Sequence, residues 1–353
     1  MNVLSLFDGI GCGRIALERA EIRVDKYFAS EIDKDAISIA THHYSDIIEL
    51  GTITEIEYDS NAGILYTARD GFSVGKIDLV IGGSPCTDFS SIGKAKGMKA
   101  GSIEITSLEQ YLKLKEEGIV FEGQSYLFWE FIRLLREIKP KYFLLENVVM
   151  AKRWKKVICD AVGCEPIQIN SSLLSAQNRP RLYWTNIRGI ENPEDRGIKL
   201  KNILNKRASN EDVSSCLTVQ RCFPKFIKKY GYIPIKINPF NVTEITDKAC
   251  ALSRGSMVTS SCATLLFVKD KEGVHIVENR VLNGQYKTKL KDGRYNLRKL
   301  SFIEMERLQT LPDNYTNIEN IGVQKRSAVI GNGWTVDVIA YILSFINKYK
   351  GAV

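Results

Sequence analysis

The stretch Val3-Leu4-Ser5-Leu6-Phe7-Asp8-Gly9-Ile10-Gly11-Cys12-Gly13 constrains this chain most. A short apolar run bounded by Asp8-Gly9 reads as a buried strand entering a tight turn, and helix formers dominate Arg14–Ala20 just after it. Strand, glycine loop and helix in that order open a doubly wound α/β sheet. The alternation continues. Lys26–Ser30 predicts a second strand ending at Glu31, Asp35–Thr41 a helix, and Ile77–Ile81 a buried strand. A helix is expected over 126–138, closed by Pro140, before another buried strand at Tyr142–Leu145. Residues 93–123, with scattered lysines and glycines, read as a mobile lid or loop.

After Trp184 the pattern breaks into short β-like pieces such as Cys216–Val219 and Ala263–Val268. Helical patterning returns at Ser301–Gln309 and Val336–Asn347. A chain of 353 residues exceeds what one core usually organises. The expected division is therefore a first domain over 1–189, a second, mostly β lobe over 190–297, and a return to the first over 298–353. Charge follows this division. Arg188–Lys299 holds 22 lysines and arginines against 11 acids, in a chain whose net charge is only +8. A basic lobe on a slightly acidic body suits a polyanionic partner, although a solvated lysine-rich surface has the same composition.

The eight cysteines show no C-x2-C spacing, and with three histidines and no H-E-x-x-H no metal site is expected. No stretch reaches the ~20 apolar residues of a membrane span, and the N-terminus lacks the features of a secretory signal. A cytosolic protein follows as the expectation.

The glycine loop lets a ligand approach the backbone at a helix N-terminus. Glu31, about 20 residues on at the end of the next strand, can accept ribose hydroxyls. These residues alone allow a dinucleotide as well as another adenosine-type cofactor. Gly82-Gly83-Ser84-Pro85-Cys86 follows a buried strand, which puts Cys86 at a sheet edge where it is either a nucleophile or a structural thiol. Glu146-Asn147 ends the next strand, where a carboxylate is costly without a partner. In Gln177-Asn178-Arg179-Pro180-Arg181 the two arginines share a face if the segment is extended.

These blocks, in this order, resemble the DNA cytosine-5 methyltransferase family. Further matches are Arg307-Leu308-Gln309 with Pro312-Asp313, and Gly331-Asn332-Gly333. The wording of Leu6–Ile10, Ala29–Glu31 and Gly82–Cys86 is most like the vertebrate de novo branch and its bacterial and phage relatives, among them enzymes of restriction–modification systems. The resemblance implies a class I, Rossmann-like S-adenosylmethionine-dependent methyltransferase fold, with 190–297 as target recognition domain. It implies Cys86, Glu146, Arg179 and Arg181 as the catalytic set, and Ser84, Pro85, Asn147 and Gln177 around the base. The cofactor would meet Phe7, Asp8, Gly9, Ile10, Gly11, Glu31, Ile32, Thr52, Ile53, Asn332, Gly333 and Trp334.

Thr52 departs from the family's usual Asp, which weakens the expected adenine contact. Double-stranded DNA is the implied partner of a monomeric enzyme, and the bacterial or phage cytoplasm its place. Two alternatives stand beside it. One is a transfer RNA methyltransferase of the same fold, since Cys222-Phe223-Pro224-Lys225 approaches that branch's Cys-Phe-Thr-Lys. The other is a non-catalytic DNA-binding relative, against which the intact Pro85-Cys86 and Glu146-Asn147 pairs stand.

Overall fold

The computed structural model describes residues 1–85, 99–100, 103–121, 123–203, 249–250, 266–270, 273–274, 296–298 and 301–349. Cys86, and most of the basic lobe, lie outside the described residues.

A seven-stranded sheet organises the first part of the chain. Its strands are β1 (Asn2–Leu6), β2 (Lys26–Ser30), β3 (Ile47–Glu49), β4 (Leu79–Gly83), β5 (Tyr142–Val148), β6 (Ile167–Asn170) and β7 (Pro180–Thr185), in the spatial order β6-β7-β5-β4-β1-β2-β3. β1 pairs in parallel with β2 and β4, β2 with β3, and β4 with β5, whereas β7 runs antiparallel to β5 and β6. The chain builds outward from β1 to β3 and then restarts on the other side of β1. The crevice at the carboxyl ends of β1 and β4 is thus a topological switch point, where open α/β sheets bind ligands.

Strands buried on both faces read as continuous apolar runs, which is why β1, β4 and β5 were legible. On one face Leu4, Leu6, Phe28, Val80, Phe143 and Leu145 pack with Phe128, Trp129, Phe131 and Ile132 of a helix at Leu127–Ile138. Each such side chain contributes roughly 1.5 to 3 kcal/mol through burial. Gly82 permits the close approach: a Cβ there would lie 2.7 Å from the Leu6 carbonyl and 3.0 Å from the Phe131 ring. Helix α1 (Cys12–Arg19) packs against the C-terminal helix at Val336–Lys348, which buries Val338, Ile339, Ile342 and Phe345 among others.

Besides Val323–Asn332, two helices of eight residues or more stand where the sequence reading has none. Within the expected lid, Leu108–Glu116 is a helix capped by Ser107, whose side chain accepts the Gln110 amide, and it buries Leu108, Tyr111 and Leu114. It is anchored by fully buried Glu130, which takes the Tyr111 hydroxyl, Lys115 and Arg133. Lys152–Val162 is the other, with Trp154, Ile158 and Cys159 buried on one stripe of an otherwise charged segment. The cluster of Lys152, Arg153, Lys155 and Lys156 in its first half hid that stripe.

Contacts divide the chain into two compact units, one of 1–171, 180–194 and 336–353, the other of 172–179 and 195–335. This differs from a division at 298. Ser301–Thr335 groups with Ser172–Arg179 because Ser175 and Gln177 both bond the Leu308 carbonyl and Arg179 bonds the carbonyls of Gly331 and Gly333. Val323–Lys348 reaches the length and apolar content of a membrane-crossing helix only when two helices are taken as one. It is interrupted over 333–335, and its C-terminal part is the core helix already described.

Candidate active site

The glycine loop lies where β1 runs into α1. Gly9 at φ 64° and Gly11 at φ 76° are left-handed, and a Cβ on Gly9 would meet nothing within 4 Å. The backbone is therefore bare on an open side, the condition for close contact with a ligand. Phe7 is left-handed too, at φ 59°. For a non-glycine residue this costs about 1 to 3 kcal/mol, and such strain gathers at functional loops.

Glu31 sets the loop's shape. Its Oε2 accepts the Gly9 amide at 2.8 Å, and its Oε1 accepts the amides of Ile32 at 2.8 Å and Asp33 at 2.9 Å. The carboxylate is fixed in orientation, with acceptor capacity left on Oε2 for a ribose hydroxyl. Beside it the Ile32 side chain is 66% exposed, an apolar surface suited to a flat base. An open glycine cradle, an oriented carboxylate and an apolar flank together fit a nucleoside cofactor. Ile10 and Ile53 are buried, so Ile53 belongs to the core and can offer a ligand only its backbone. Thr52 uses its hydroxyl to cap the short turn Ile53–Glu55, and its Oγ1 lies 2.9 Å from that of Thr54.

Asp8 is buried, and its Oδ1 accepts the Tyr27 hydroxyl at 2.6 Å. Burial raises its carboxyl to about 6, with the Glu31 charge adding and the hydroxyls of Ser5 and Tyr27 opposing. Burial, then the charges of Asp8 and Glu31, raise Glu49 at the end of β3 to about 8. The sequence reading missed Tyr27 and Glu49. The period of two that places Tyr27 and Glu31 on one face of β2 was the available signal.

A pKa raised on folding stabilises the protein below the unfolded value and loses that contribution as pH rises through the folded value. For Asp8 the window runs from about pH 4 to about pH 6. Asp8→Asn is therefore expected to melt above the parent at pH 8, with a ceiling of about 3 kcal/mol. The difference should shrink toward pH 4. Thermal melts of both proteins across this range test it, and equal melting temperatures at pH 8 would show that the charge is not strained.

The second group of side chains gathers at the ends of β4, β5 and β7. Glu146 pairs in register with Gly83, and Arg181 stands opposite Val148, diagonally across the β5–β7 ladder from Glu146. That diagonal is within reach of a long side chain. Arg181 Nε sits 2.9 Å from Glu146 Oε1, both largely buried. Asn147 is buried and donates to Ser84 at both its carbonyl, 3.3 Å, and its Oγ, 3.1 Å. Buried Ser84 and half-buried Pro85 lead to Cys86, which is beyond the described residues.

Several expected roles shift accordingly. Asn147 braces the segment that carries Ser84, a role the sequence did not suggest. Gln177 is fully buried with its amide on the Leu308 carbonyl. The arginines have separate contacts: Arg181 meets Glu146, while Arg179 donates to the Gly333 carbonyl at 3.1 Å. Pro180 and the start of β7 lie between them. Asn332 is exposed, and Trp334 half-buried.

Known proteins share parts of this chain's sequence and its fold. The chain is 29% identical over 222 residues to the orphan methyltransferase M.SPRI of Bacillus phage SPR, covering 58% of this chain and 43% of that protein. It is 29% identical over 193 residues to the type II methyltransferase M1.ScrFI of Lactococcus lactis subsp. cremoris, covering 52% and 40%. The matches thus span less than half the length of these curated relatives. Among solved structures, the Entamoeba histolytica methyltransferase EhMeth superposes with a TM-score of 0.64 at 14% identity, and the S. pombe Dnmt2 methyltransferase with 0.59 at 16%, each covering 99% of both chains. At such identities the likeness shows the fold, a Rossmann-like methyltransferase fold with a mostly parallel sheet. The profile of the C-5 cytosine-specific DNA methylase family matches residues 1–348, so the chain belongs to that family.

Proposed function

We propose that the protein methylates C5 of a cytosine flipped out of duplex DNA, with S-adenosylmethionine as methyl donor and Cys86 as covalent nucleophile. The observation that carries this reading is the Glu146–Arg181 ion pair at the strand ends, beside the Ser84 segment that Asn147 braces. A carboxylate held by a guanidinium at a sheet edge is a device for acting on a polar ring.

Cytosine C5 attacks no electrophile readily while the ring is aromatic. Addition of the Cys86 thiolate to C6 breaks the 5,6 double bond and drives the electron pair toward N3, which Glu146, having taken up a proton from water, hydrogen-bonds or protonates. Carbon 5 then has enamine character. Glu31, the Gly9–Gly11 loop and Ile32 would hold S-adenosylmethionine, which would supply an electrophilic methyl group there. Loss of the C5 proton and expulsion of Cys86 restore the ring. Arg181 keeps the carboxyl of Glu146 aimed. The target atoms are inaccessible in a duplex, so the base must leave the stack. The 190–297 segment, a proposed target recognition domain, would supply phosphate and base-edge contacts through its lysines and arginines. The enzyme acts as a monomer in the cytoplasm of a bacterial or phage-infected cell.

Bisulfite sequencing of duplex DNA incubated with the protein and S-adenosylmethionine tests this, with transfer RNA in parallel. Protected cytosines at one defined DNA sequence are expected, with binding that weakens steeply as salt rises through counterion release. Methylated transfer RNA beside unmodified DNA would move the substrate to RNA. No methylation of either would reduce the protein to a binding relative.

A further inference from the structure

Gln309 follows the helix Phe302–Leu308 and is fully buried. Its Nε2 donates to the carbonyls of Ile330 at 3.0 Å and Gly333 at 3.1 Å, and its Oε1 accepts the Thr335 hydroxyl at 3.0 Å. The two carbonyls need the amide's NH2 side, so only one orientation serves all three partners. The Gly333 carbonyl also takes Arg179 Nη2 at 3.1 Å, and Ser175 and Gln177 grip the Leu308 carbonyl one residue before Gln309.

Helix Val323–Asn332 ends here, and a helix end leaves its last carbonyls without intrahelical partners. In this protein side chains from two distant parts of the sequence meet them. The clamped stretch is 330–335, which contains Asn332, Gly333 and Trp334. Because the amide and guanidinium groups bond backbone oxygens, they set the path of this turn whatever its side chains do. A buried amide with all three contacts made is also rigid, since losing any one leaves a desolvated polar group.

We propose that Gln309 is a positioning residue for the cofactor, fixing the Gly331–Thr335 turn in its binding shape through the Ile330 and Gly333 carbonyls and the Thr335 hydroxyl. This rests on the reading of Asn332–Trp334 as cofactor contacts. The test compares Gln309→Leu, Thr335→Val and Thr335→Ser with the parent protein. Calorimetry gives the Kd for S-adenosylhomocysteine, and steady-state assays give KM for S-adenosylmethionine and kcat.

Gln309→Leu should raise Kd and KM about tenfold, the scale of two neutral hydrogen bonds, with kcat at saturating cofactor little changed. Thr335→Val should move both the same way by less, and Thr335→Ser, which keeps the hydroxyl, should restore them. Unshifted Kd values in Gln309→Leu and Thr335→Val, with only a lower melting temperature, would make Gln309 a structural residue and overturn the proposal. If Gln309→Leu fails to fold, the two Thr335 variants decide: equal Kd values overturn it, and a weaker Thr335→Val supports it. Absence of S-adenosylhomocysteine binding to the parent protein would overturn the functional reading and this proposal with it. Normal parent binding with unshifted variants overturns this proposal alone.

Discussion

Cys86→Ser is expected to abolish methyl transfer, by a factor of roughly 10⁴ or more, the scale on which loss of a covalent nucleophile acts. Serine keeps the size of the side chain but not a nucleophile that ionises near neutral pH. Pro85 fixes its own backbone dihedral, and Asn147 ties Ser84 down from the neighbouring strand. The segment entering position 86 therefore has little freedom to change with the substitution. DNA binding should stay close to that of the parent, because flipping depends on the pocket and not on the bond. A duplex carrying 5-fluorocytosine at the target separates these effects. Fluorine at C5 cannot leave as a proton does, so elimination stops and the adduct survives denaturation. The parent protein should give that complex only with S-adenosylmethionine present, and Cys86→Ser should give none. A trapped complex from the variant, or an adduct mapped to another cysteine, would sink the assignment.

The parts of the molecule legible in its sequence are those whose cause is local. β1, β4 and β5 announce themselves because a strand buried on both faces is apolar throughout. Gly9 and Gly11 do so because left-handed backbone selects glycine. Glu31 and Glu146 stand out because a carboxylate at the mouth of an apolar strand needs a reason. What stayed hidden depends on residues far apart in the chain. Nothing near Arg179 and Arg181 says that one reaches Gly333 and the other Glu146, separations of 154 and 35 residues. Asn147 and Gln177 lie inside motif blocks, and the blocks made them look like ligand contacts. Their burial shows that a motif residue can also hold the motif's backbone in place. The helix at Leu108–Glu116 was hidden for another reason. Its stability comes from Glu130, a buried acid on a different helix, and not from its own three apolar positions alone.

Glu146→Gln should lower kcat by about 10² to 10⁴, the range that a positioned general acid supplies, while leaving cofactor affinity near that of the parent. Glutamine has the shape of the carboxyl and an oxygen that can still accept from Arg181, but it has no proton to give to N3. The ion pair at 2.9 Å becomes a hydrogen bond from the Arg181 cation to a neutral amide, with Arg181 only 15% exposed. Removing one member of a buried pair strands the other charge, at a cost of up to about 3 to 5 kcal/mol. Arg181 also donates to the Pro180 carbonyl at 2.9 Å, which offsets part of that cost. A lowered melting temperature is thus expected, and must be separated from the chemistry by assaying well below it. The fluorocytosine adduct is the cleaner readout. If Glu146 relieves the charge that Cys86 addition places on the ring, adduct formation itself slows, in step with kcat. A variant that forms the adduct at the parent's rate but turns over slowly would place Glu146 after addition, and one that does both within threefold of the parent would remove it from the mechanism.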